Sequence, residues 1–273
     1  MRRHLLTSAT PLERLPDFLP FTAPPVLDFL QEEKKAKLEL KLVHTPTKEK
    51  IPTLMRLISH FQGEACLVFC NHREAVDRIS LLLSAHGYAH AVLHGGMEQL
   101  DREKNLITFR SGVVHLLIAT DLAARGLDIP EIRHVVHYQV PPQEDAFIHR
   151  NGRTARMHAS GQGYLLLAEE EELPDYVDDR HMEALQLTET LSAQRSAWTL
   201  LYLSAGKKNK ISKGDIVGFL IKVGQATPED IGTITLLDFA TYVAVRSKKA
   251  PQLVQNLHGE KVKKIKVKVA EAR

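Results

Sequence analysis

Short runs of consecutive apolar residues alternate with amphipathic stretches along residues 65–168. The runs "ACLVFCN", "VHLLIATD", "RHVVHYQ" and "GQGYLLLA" are mostly apolar, as expected for strands that are covered on both faces. Between them, "HREAVDRISLLLSAHG" and "MEQLDREKNLITFRSG" place apolar residues at helical spacing. Strands that alternate with helices predict an α/β fold, a parallel sheet with helices on both faces.

Two segments that precede these elements in the chain extend the pattern. "KLELKLVHTP" alternates and predicts an edge strand, and "KEKIPTLMRLISHF" has the spacing of a helix. In parallel sheets of this kind, ligands bind at the carboxyl ends of the strands. Three polar stretches follow predicted strands directly: Asn71-His72-Arg73, His94-Gly95-Gly96 and Thr120-Asp121.

The pattern changes after residue 196. Two helical segments and four strand-like segments follow in the order β-α-β-β-α-β, with "KVKKIKVKVAE" as the last strand. This order predicts a small α+β domain of the ferredoxin-like type that also underlies RRM domains. The intervening residues 168–195 are acidic and are predicted to form a helix and a linker.

Composition is that of a soluble globular protein, with 44% hydrophobic and 25% charged residues among 273. No apolar run is long enough to span a bilayer, and the N-terminus lacks the features of a signal peptide. Cys66 and Cys70 are too few for a metal site and are expected to be buried free thiols in a reducing cytoplasm. The net charge is only +3, but the C-terminal third is rich in lysine. Such a stretch indicates either nucleic-acid binding or an ordinary solvated face.

Two stretches carry candidate chemistry. "HRNGRTAR", residues 149–156, places three arginines and a histidine in eight positions without a helical apolar stripe. Arginine suits phosphate oxygens, although a surface cluster of ion pairs is the alternative. "LIATDLAARGLDIP" adds Thr120 and Asp121 at a strand end, then Gly126 and Asp128. A helix N-cap and a turn would explain part of this second stretch but not Asp128.

Together these stretches resemble motifs V and VI of the DEAD-box RNA helicases. "LVFCNHRE" resembles motif IV, "LHGGMEQLDRE" resembles the segment that contains Gln99 and Arg102, and "TSAT" resembles motif III. The resemblance runs in order from about residue 5 to residue 168. Asn151 departs from it, because the family usually has an aliphatic residue there, and Ala155 stands where many members have glycine.

The resemblance implies a nucleotide site between two RecA-like domains, of which this chain supplies the second. Arg153 and Arg156 would face the γ-phosphate of ATP as catalytic arginines, and Asp128 would accept hydrogen bonds from the ribose. His149, Arg150 and Gly126 complete the implied cofactor-binding set, the first two by positioning the motif and connecting it to the first domain. The Mg²⁺ that accompanies ATP would be held by that first domain.

The resemblance also implies an RNA-binding face. Asn71, Arg73, Gly95, Arg102, Thr120 and Asp121 would contact phosphates and 2′-hydroxyls of one strand. Residues from about 198 to 270 resemble the RNA-binding domain of DbpA-type DEAD-box proteins, which act on ribosomal RNA. There, Lys207, Lys208 and Lys210 are expected to contact RNA. Tyr202 is a candidate for base stacking, or else packs in a core.

The chain contains neither a G-x-x-x-x-G-K-[ST] loop nor an Asp-Glu-Ala-Asp sequence. The expected organisation is a remnant of the first RecA-like domain and a linker (1–30), a second RecA-like domain (31–180), a linker (181–197) and an RRM-like RNA-binding domain (198–273). We expect the C-terminal part of an ATP-dependent RNA helicase that is inactive by itself. The alternatives are a free-standing RNA-binding or adaptor protein and, less in keeping with the last domain, a DNA helicase of a related branch.

Overall fold

The computed structural model describes residues 38–124, 132–154, 161–180, 182–188, 193 and 196–272. Its larger sheet has seven strands, which all pair in parallel in the order β3-β4-β2-β5-β6-β1-β7. These strands are β1 (Leu38–Thr45), β2 (Cys66–Cys70), β3 (Ala91–Leu93), β4 (Leu116–Thr120), β5 (His134–His137), β6 (Gly161–Ala168) and β7 (Glu183–Ala184).

Helices cover both faces of this sheet, as predicted. They are α1 (Lys50–His60), α2 (Arg73–Ala85), α3 (Gln99–Arg110), the single turn α4 (Asp121–Ala124) and α5 (Glu144–Asn151). Side chains of a strand alternate between its two faces. In β2, Val68 packs in the core formed with α1 and α2, whereas Phe69 packs in the core formed with α3 and α4. The α/β prediction is therefore confirmed.

Both cysteines lie in β2 and are buried and free, as expected from the sequence. Burial raises the pKa of Cys70 to about 12 and raises that of Cys66 as well. Neither thiol is therefore a reactive thiolate near neutral pH.

Two expectations, an edge position for β1 and a helix in the acidic stretch, are wrong. The strand β1 is not at the edge, because Leu42 lies opposite Ala184 of β7 and the Leu185 amide donates to the Leu42 carbonyl at 2.8 Å. The acidic stretch forms no helix among residues 169–180, since Leu173, Tyr176 and Val177 pack against the core beside β1 and β6. An irregular chain places these apolar side chains inward and leaves the acidic ones in water.

The second sheet has four antiparallel strands in the order β13-β8-β10-β9. Its elements are β8 (Trp198–Leu203), α6 (Lys213–Lys222), β9 (Ile231–Leu236), β10 (Thr241–Arg246), α7 (Ala250–Leu257) and β13 (Val269–Glu271). Leu201, Leu203 and Val243 pack with the two helices in a separate core. The predicted β-α-β-β-α-β order is confirmed.

The predicted last strand is not continuous. It forms a small hairpin of β11 (Lys261–Val262) and β12 (Ile265–Lys266) before β13 begins. Lys263 has a φ of 54°, a left-handed conformation that turns the chain at this point. The hairpin buries Val262 and leaves Lys261, Lys263, Lys264 and Lys266 exposed.

Candidate functional site

Arg150 is the centre of a polar network at the carboxyl end of the larger sheet. Its side chain is completely buried, and Nε and Nη2 donate to the two carboxylate oxygens of Asp121 at 2.7 and 2.6 Å. Nη2 also donates to Asn71 Oδ1 at 2.7 Å, and Nη1 donates to the Gln139 carbonyl at 2.7 Å. The guanidinium lies 5.0 Å from the centre of the Phe69 ring. One side chain of α5 thus joins the segments that follow β2, β4 and β5.

Arg150 was expected to belong to the cofactor-binding set by positioning the motif and connecting it to the first domain, and in this structure its side-chain contacts lie within its own domain. A guanidinium that is fully buried and uses all three nitrogens inside its own domain has no surface left for a ligand. The same network occupies both side-chain oxygens of Asp121 and the amide oxygen of Asn71, whose Nδ2 donates to the Val140 carbonyl at 3.0 Å. The side chains of these two predicted RNA-binding residues therefore serve the network in this structure.

Arg153 lies in the turn after α5 and is partly exposed. Its backbone is held on both sides, because its amide donates to the Arg150 carbonyl at 3.1 Å and its carbonyl accepts from the Ile132 amide at 3.2 Å. Thr154 is buried, and its hydroxyl donates to the Arg133 carbonyl at 3.2 Å. The turn is therefore attached to the segment that leads into β5. His149 is exposed on α5.

Three predicted nucleotide-contacting residues, Gly126, Asp128 and Arg156, lie outside the described residues.

Asn151, one of the two residues that depart from the pattern of the resembling family, has a buried polar partner. Its Oδ1 lies 3.0 Å from Nε2 of His137, which is completely buried at the end of β5. Burial lowers the pKa of His137 to about 3, so the ring is neutral at physiological pH. A neutral ring with a proton on Nε2 leaves Nδ1 as an acceptor, and Nδ1 has no hydrogen-bond partner among the described residues. The sequence pattern did not single out His137.

The glycine pair after β3 lies beside Arg73 at the start of α2. Gly95 and Gly96 are exposed, and a Cβ on Gly96 would come within 3.7 Å of the Arg73 side chain. His94 orients this loop, because its Nδ1 accepts from the Gly96 amide at 3.2 Å while Nε2 lies 3.1 Å from the carboxylate of Asp77. The structure therefore brings together two of the segments predicted to contact RNA.

Arg102 connects the α3 segment to the end of β4. Its Nη2 donates to the Ala123 carbonyl of α4 at 2.8 Å, directly after Thr120 and Asp121. The Arg102 and Thr120 side chains are both partly exposed. They therefore lie on neighbouring elements at the carboxyl end of the sheet.

In the second domain, the predicted lysines form part of a larger cationic surface. Lys207, Lys208 and Lys210 are exposed on the turn after β8, and Lys210 has a left-handed φ of 58°. Nζ of Lys263 donates to the Lys210 carbonyl at 2.9 Å and so attaches the β11–β12 hairpin to this turn. We call this combined surface the lysine surface; it comprises Lys207, Lys208, Lys210, Lys261, Lys263, Lys264 and Lys266.

Tyr202 lies on the sheet face opposite the helices. It pairs across the strands with Tyr242, and the two rings meet edge to face with their centres 5.7 Å apart. Both side chains are half-buried. Trp198, two residues before Leu200 on the same strand, is covered by the Arg246 guanidinium at 4.2 Å from its ring centre. The aromatic side chains of this face thus already contact protein groups.

Within the described ranges, no group of His, Cys, Asp and Glu side chains could hold a metal ion. Over the same ranges, no helix has the length and apolar character to cross a bilayer.

Two family models match the chain. Residues 49–158 match the helicase conserved C-terminal domain, and residues 200–271 match the DbpA RNA binding domain. The chain is 35% identical over 232 residues to the ATP-dependent RNA helicase DbpA of Escherichia coli, a match that covers 83% of this chain and 51% of that protein. It is 40% identical over 128 residues to the ATP-dependent rRNA helicase RRP3 of Yarrowia lipolytica, covering 47% of this chain and 27% of the relative.

Among solved structures, the crystal structure of the E. coli DEAD-box protein SrmB bound to regulator of ribonuclease activity A is similar. It is 27% identical, with a TM-score of 0.46, and the match covers 56% of this chain and 99% of that chain. The chain spans about half the length of the E. coli DbpA relative, since the match covers 51% of that protein. With a helicase conserved C-terminal domain followed by a DbpA RNA binding domain, the chain belongs to the DbpA type of the DEAD-box family.

Proposed function

We propose that this chain is the C-terminal part of an ATP-dependent helicase that remodels structured ribosomal RNA during large-subunit assembly in the cytoplasm. The observation that carries the proposal is the Arg150 network. It joins Asn71, Asp121 and Arg150, which belong to the three stretches that resemble motifs IV, V and VI. A buried ion pair with these additional hydrogen bonds fixes the relative positions of the three stretches.

An arginine on the turn after α5 supports the proposed phosphate site. Arg153 is partly exposed on a turn whose backbone is held from both sides, so the turn needs little backbone reordering on binding. In this proposal Arg153 and Arg156 face the γ-phosphate, Asp128 and Gly126 line the ribose side, and His149 connects to a first RecA-like domain. That domain holds Mg²⁺. When bound, ATP would supply the γ-phosphoryl group that passes to water, and the arginines would stabilise the charge that develops on that group.

RNA would be held in two places. Arg73, Gly95, Arg102 and Thr120 lie on segments that meet at the carboxyl end of the larger sheet, where contacts to backbone phosphates carry no sequence information. The lysine surface of the second domain would hold further phosphates of the same RNA. The names of the E. coli and Y. lipolytica relatives support RNA as substrate, and the latter supports ribosomal RNA.

A fusion tests the proposal. The chain is placed behind the N-terminal half of the E. coli DbpA relative, and ATP hydrolysis is measured with and without ribosomal RNA. We expect RNA-stimulated hydrolysis by the fusion and none by the chain alone, which has no phosphate-binding loop of the G-x-x-x-x-G-K-[ST] type. Arg153→Ala should lower kcat by roughly 10³-fold or more with little change in RNA affinity.

Arg180→Ala is the matched control, because Arg180 is an exposed arginine that pairs with the nearby Asp178, and it should leave kcat unchanged. If the fusion binds RNA but hydrolyses no ATP, the adaptor alternative replaces the helicase. If Arg153→Ala matches the parent fusion in kcat, Arg153 is not a catalytic arginine.

A further inference from the structure

Phe239 leaves 69% of its surface in water, more than any other large apolar side chain described between residues 196 and 272. Single exposed apolar side chains are common on protein surfaces and need no function. What distinguishes Phe239 is its position. It lies with Asp238 at the tip of the hairpin between β9 and β10, where that hairpin meets the lysine surface.

Backbone hydrogen bonds attach the hairpin tip, residues 237–240, to the turn that carries Lys207, Lys208 and Lys210, which we call the lysine turn. The Lys207 amide donates to the Leu237 carbonyl at 2.8 Å, and the Lys208 amide donates to the Asp238 carbonyl at 2.8 Å. Gly206 allows this close approach, because a Cβ there would lie 2.2 Å from the Leu237 carbonyl oxygen. Phe239 therefore follows directly after the residue whose carbonyl holds Lys208.

We call the hairpin tip and the lysine turn together the platform, and further contacts make it rigid. The Thr241 hydroxyl is buried and donates to the Ala205 carbonyl at 2.7 Å, and the Leu237 amide donates to the Ala240 carbonyl at 2.8 Å. On the lysine turn, Asn209 Oδ1 accepts from the Gly206 amide at 3.0 Å. An aromatic ring on a rigid platform loses little freedom when it binds a flat ligand.

The sheet tyrosines are less suited to this role. Tyr202 and Tyr242 are half-buried and contact each other edge to face, so part of each ring already has a protein partner. Phe239 presents a ring that is more than two-thirds exposed, next to lysines that attract phosphates. Proteins that bind single-stranded nucleic acid combine these two features, an aromatic ring for the base and cations for the backbone.

We propose that Phe239 stacks on an unpaired RNA base whose neighbouring phosphates lie on Lys207 and Lys208. The inference rests on the proposed RNA-binding function of this domain and adds a specific contact to it. Bases inside a duplex are stacked on one another and cannot reach the ring, so the contact selects loops, bulges and single strands. Stacking on one aromatic side chain changes affinity by roughly 5- to 150-fold.

The test uses the intact chain and two RNA probes. One is a hairpin RNA whose eight-nucleotide loop carries 2-aminopurine at each loop position in turn, and the other is a blunt duplex of the same stem sequence. Phe239→Leu keeps an apolar side chain but removes the aromatic face, and Phe239→Trp keeps the aromatic face. Affinity and 2-aminopurine fluorescence are measured for each, with Ile221→Ala as a control at another exposed apolar position.

We expect Phe239→Leu to weaken hairpin binding at least 5-fold, to abolish the fluorescence quenching at one loop position and to leave duplex binding unchanged. Phe239→Trp should retain both affinity and quenching, and Ile221→Ala should behave as the parent chain. Lys207→Ala should weaken binding while quenching at saturation persists. Equal hairpin affinity of the parent chain and Phe239→Leu, or an equal loss with the duplex, would overturn the stacking proposal. A parent chain that binds neither RNA would instead refute RNA binding itself.

Discussion

At the scale of single residues, the Arg150 network shows that one arginine of a motif that resembles a phosphate-binding sequence is buried and bonded within its own domain. The three arginines of "HRNGRTAR" are equivalent in the sequence, and nothing in their spacing separates them. The fold separates them, because Arg150 occupies the inward face of α5 while Arg153 follows the helix in a turn. The sequence predicts that arginines of this motif have a functional role. The burial of Arg150, however, depends on Asp121 and Asn71, which are 29 and 79 residues away in the chain.

Removing the buried guanidinium should destabilise the larger domain. Arg150→Ala leaves Asp121 and Asn71 without their donor and opens a cavity beside Phe69. Breaking a buried pair costs about 3–5 kcal/mol, and the lower end applies because 26% of the Asp121 side chain is exposed to water. We expect the free energy of unfolding in urea to fall by about 3 kcal/mol. Arg180→Ala, at an exposed ion pair, should not shift the midpoint; equal midpoints for Arg150→Ala and the parent chain would contradict the role of the network.

The neutral His137 should make the stability of the chain depend on pH. The unfolded chain binds a proton at this histidine near pH 6.5, whereas the folded chain does so only near pH 3, because the ring is buried. The unfolded state therefore holds the extra proton between these values, and the free energy of unfolding falls as the pH drops through this window. Between pH 7.5 and pH 5 this one group accounts for about 2 kcal/mol.

His137→Gln removes the titrating ring and keeps a donor for Asn151. We expect the loss of stability between pH 7.5 and pH 5, measured by urea unfolding at each pH, to be about 2 kcal/mol smaller in this variant. His134 and His90 also have lowered pKa values through burial, so part of the pH dependence should persist. His149→Gln, at an exposed position on α5, serves as the control. If His137→Gln has the pH dependence of the parent chain, His137 does not titrate as inferred.

At the scale of elements, the helices and strands of the larger sheet follow from local patterns, because buried parallel strands and amphipathic helices have different periods. The expectations of a continuous last strand and of an acidic helix were wrong, because tertiary contacts determine the path of both segments. The lysine-rich segment after α7 alternates like a strand, yet Lys263 turns it into a hairpin that is held by the Lys210 carbonyl. The acidic stretch has helix-forming residues, yet Pro174 and the inward packing of Val177 give it an irregular path. Neither tertiary contact is visible in a local window.

Two glycines of the second domain should respond in opposite directions to alanine. A Cβ on Gly206 would meet backbone atoms of the β9–β10 hairpin tip at 2.2 and 2.8 Å, so the hairpin and the lysine turn must separate. Gly206→Ala should lower the free energy of unfolding by about 1–3 kcal/mol, as overpacking does. Gly218 lies inside α6 with nothing within 4 Å of the added carbon. Gly218→Ala should raise the free energy of unfolding by about 0.5–1 kcal/mol, because alanine is the better helix former.

Thermal unfolding of both variants, followed by the circular dichroism of the chain, measures these changes. Gly206→Ala should also weaken RNA binding, since it moves the lysine turn relative to Phe239. Gly218→Ala should leave RNA binding unchanged. A stable Gly206→Ala variant would show that the two loops can separate without cost and would remove the argument that the platform is rigid.

At the scale of the whole molecule, the proposed function gives the chain two separate surfaces for RNA. The larger sheet presents Arg73, Arg102 and the exposed Gly95-Gly96 pair near its carboxyl end, an arrangement that suits one strand held by its backbone. The second domain presents seven exposed lysines on one turn and one hairpin. The sequence predicted the lysines of the turn as RNA contacts. It could not show that the hairpin joins them, because that depends on the folded position of Lys263.

Counterion release distinguishes these two surfaces in the intact chain. Each phosphate neutralised by a lysine steepens the dependence of log affinity on log salt concentration by about 0.7 to 0.9. The double variant Lys207→Ala with Lys208→Ala should therefore reduce this slope by about 1.4 to 1.8 with the hairpin RNA, whatever its sequence. Lys48→Ala, an exposed lysine before α1, should leave the slope unchanged. Phe239→Leu should lower affinity at every salt concentration without changing the slope, because a stacked ring releases no counterions. Parallel salt dependences for the double-lysine variant and the parent chain would place the phosphate contacts elsewhere on the molecule.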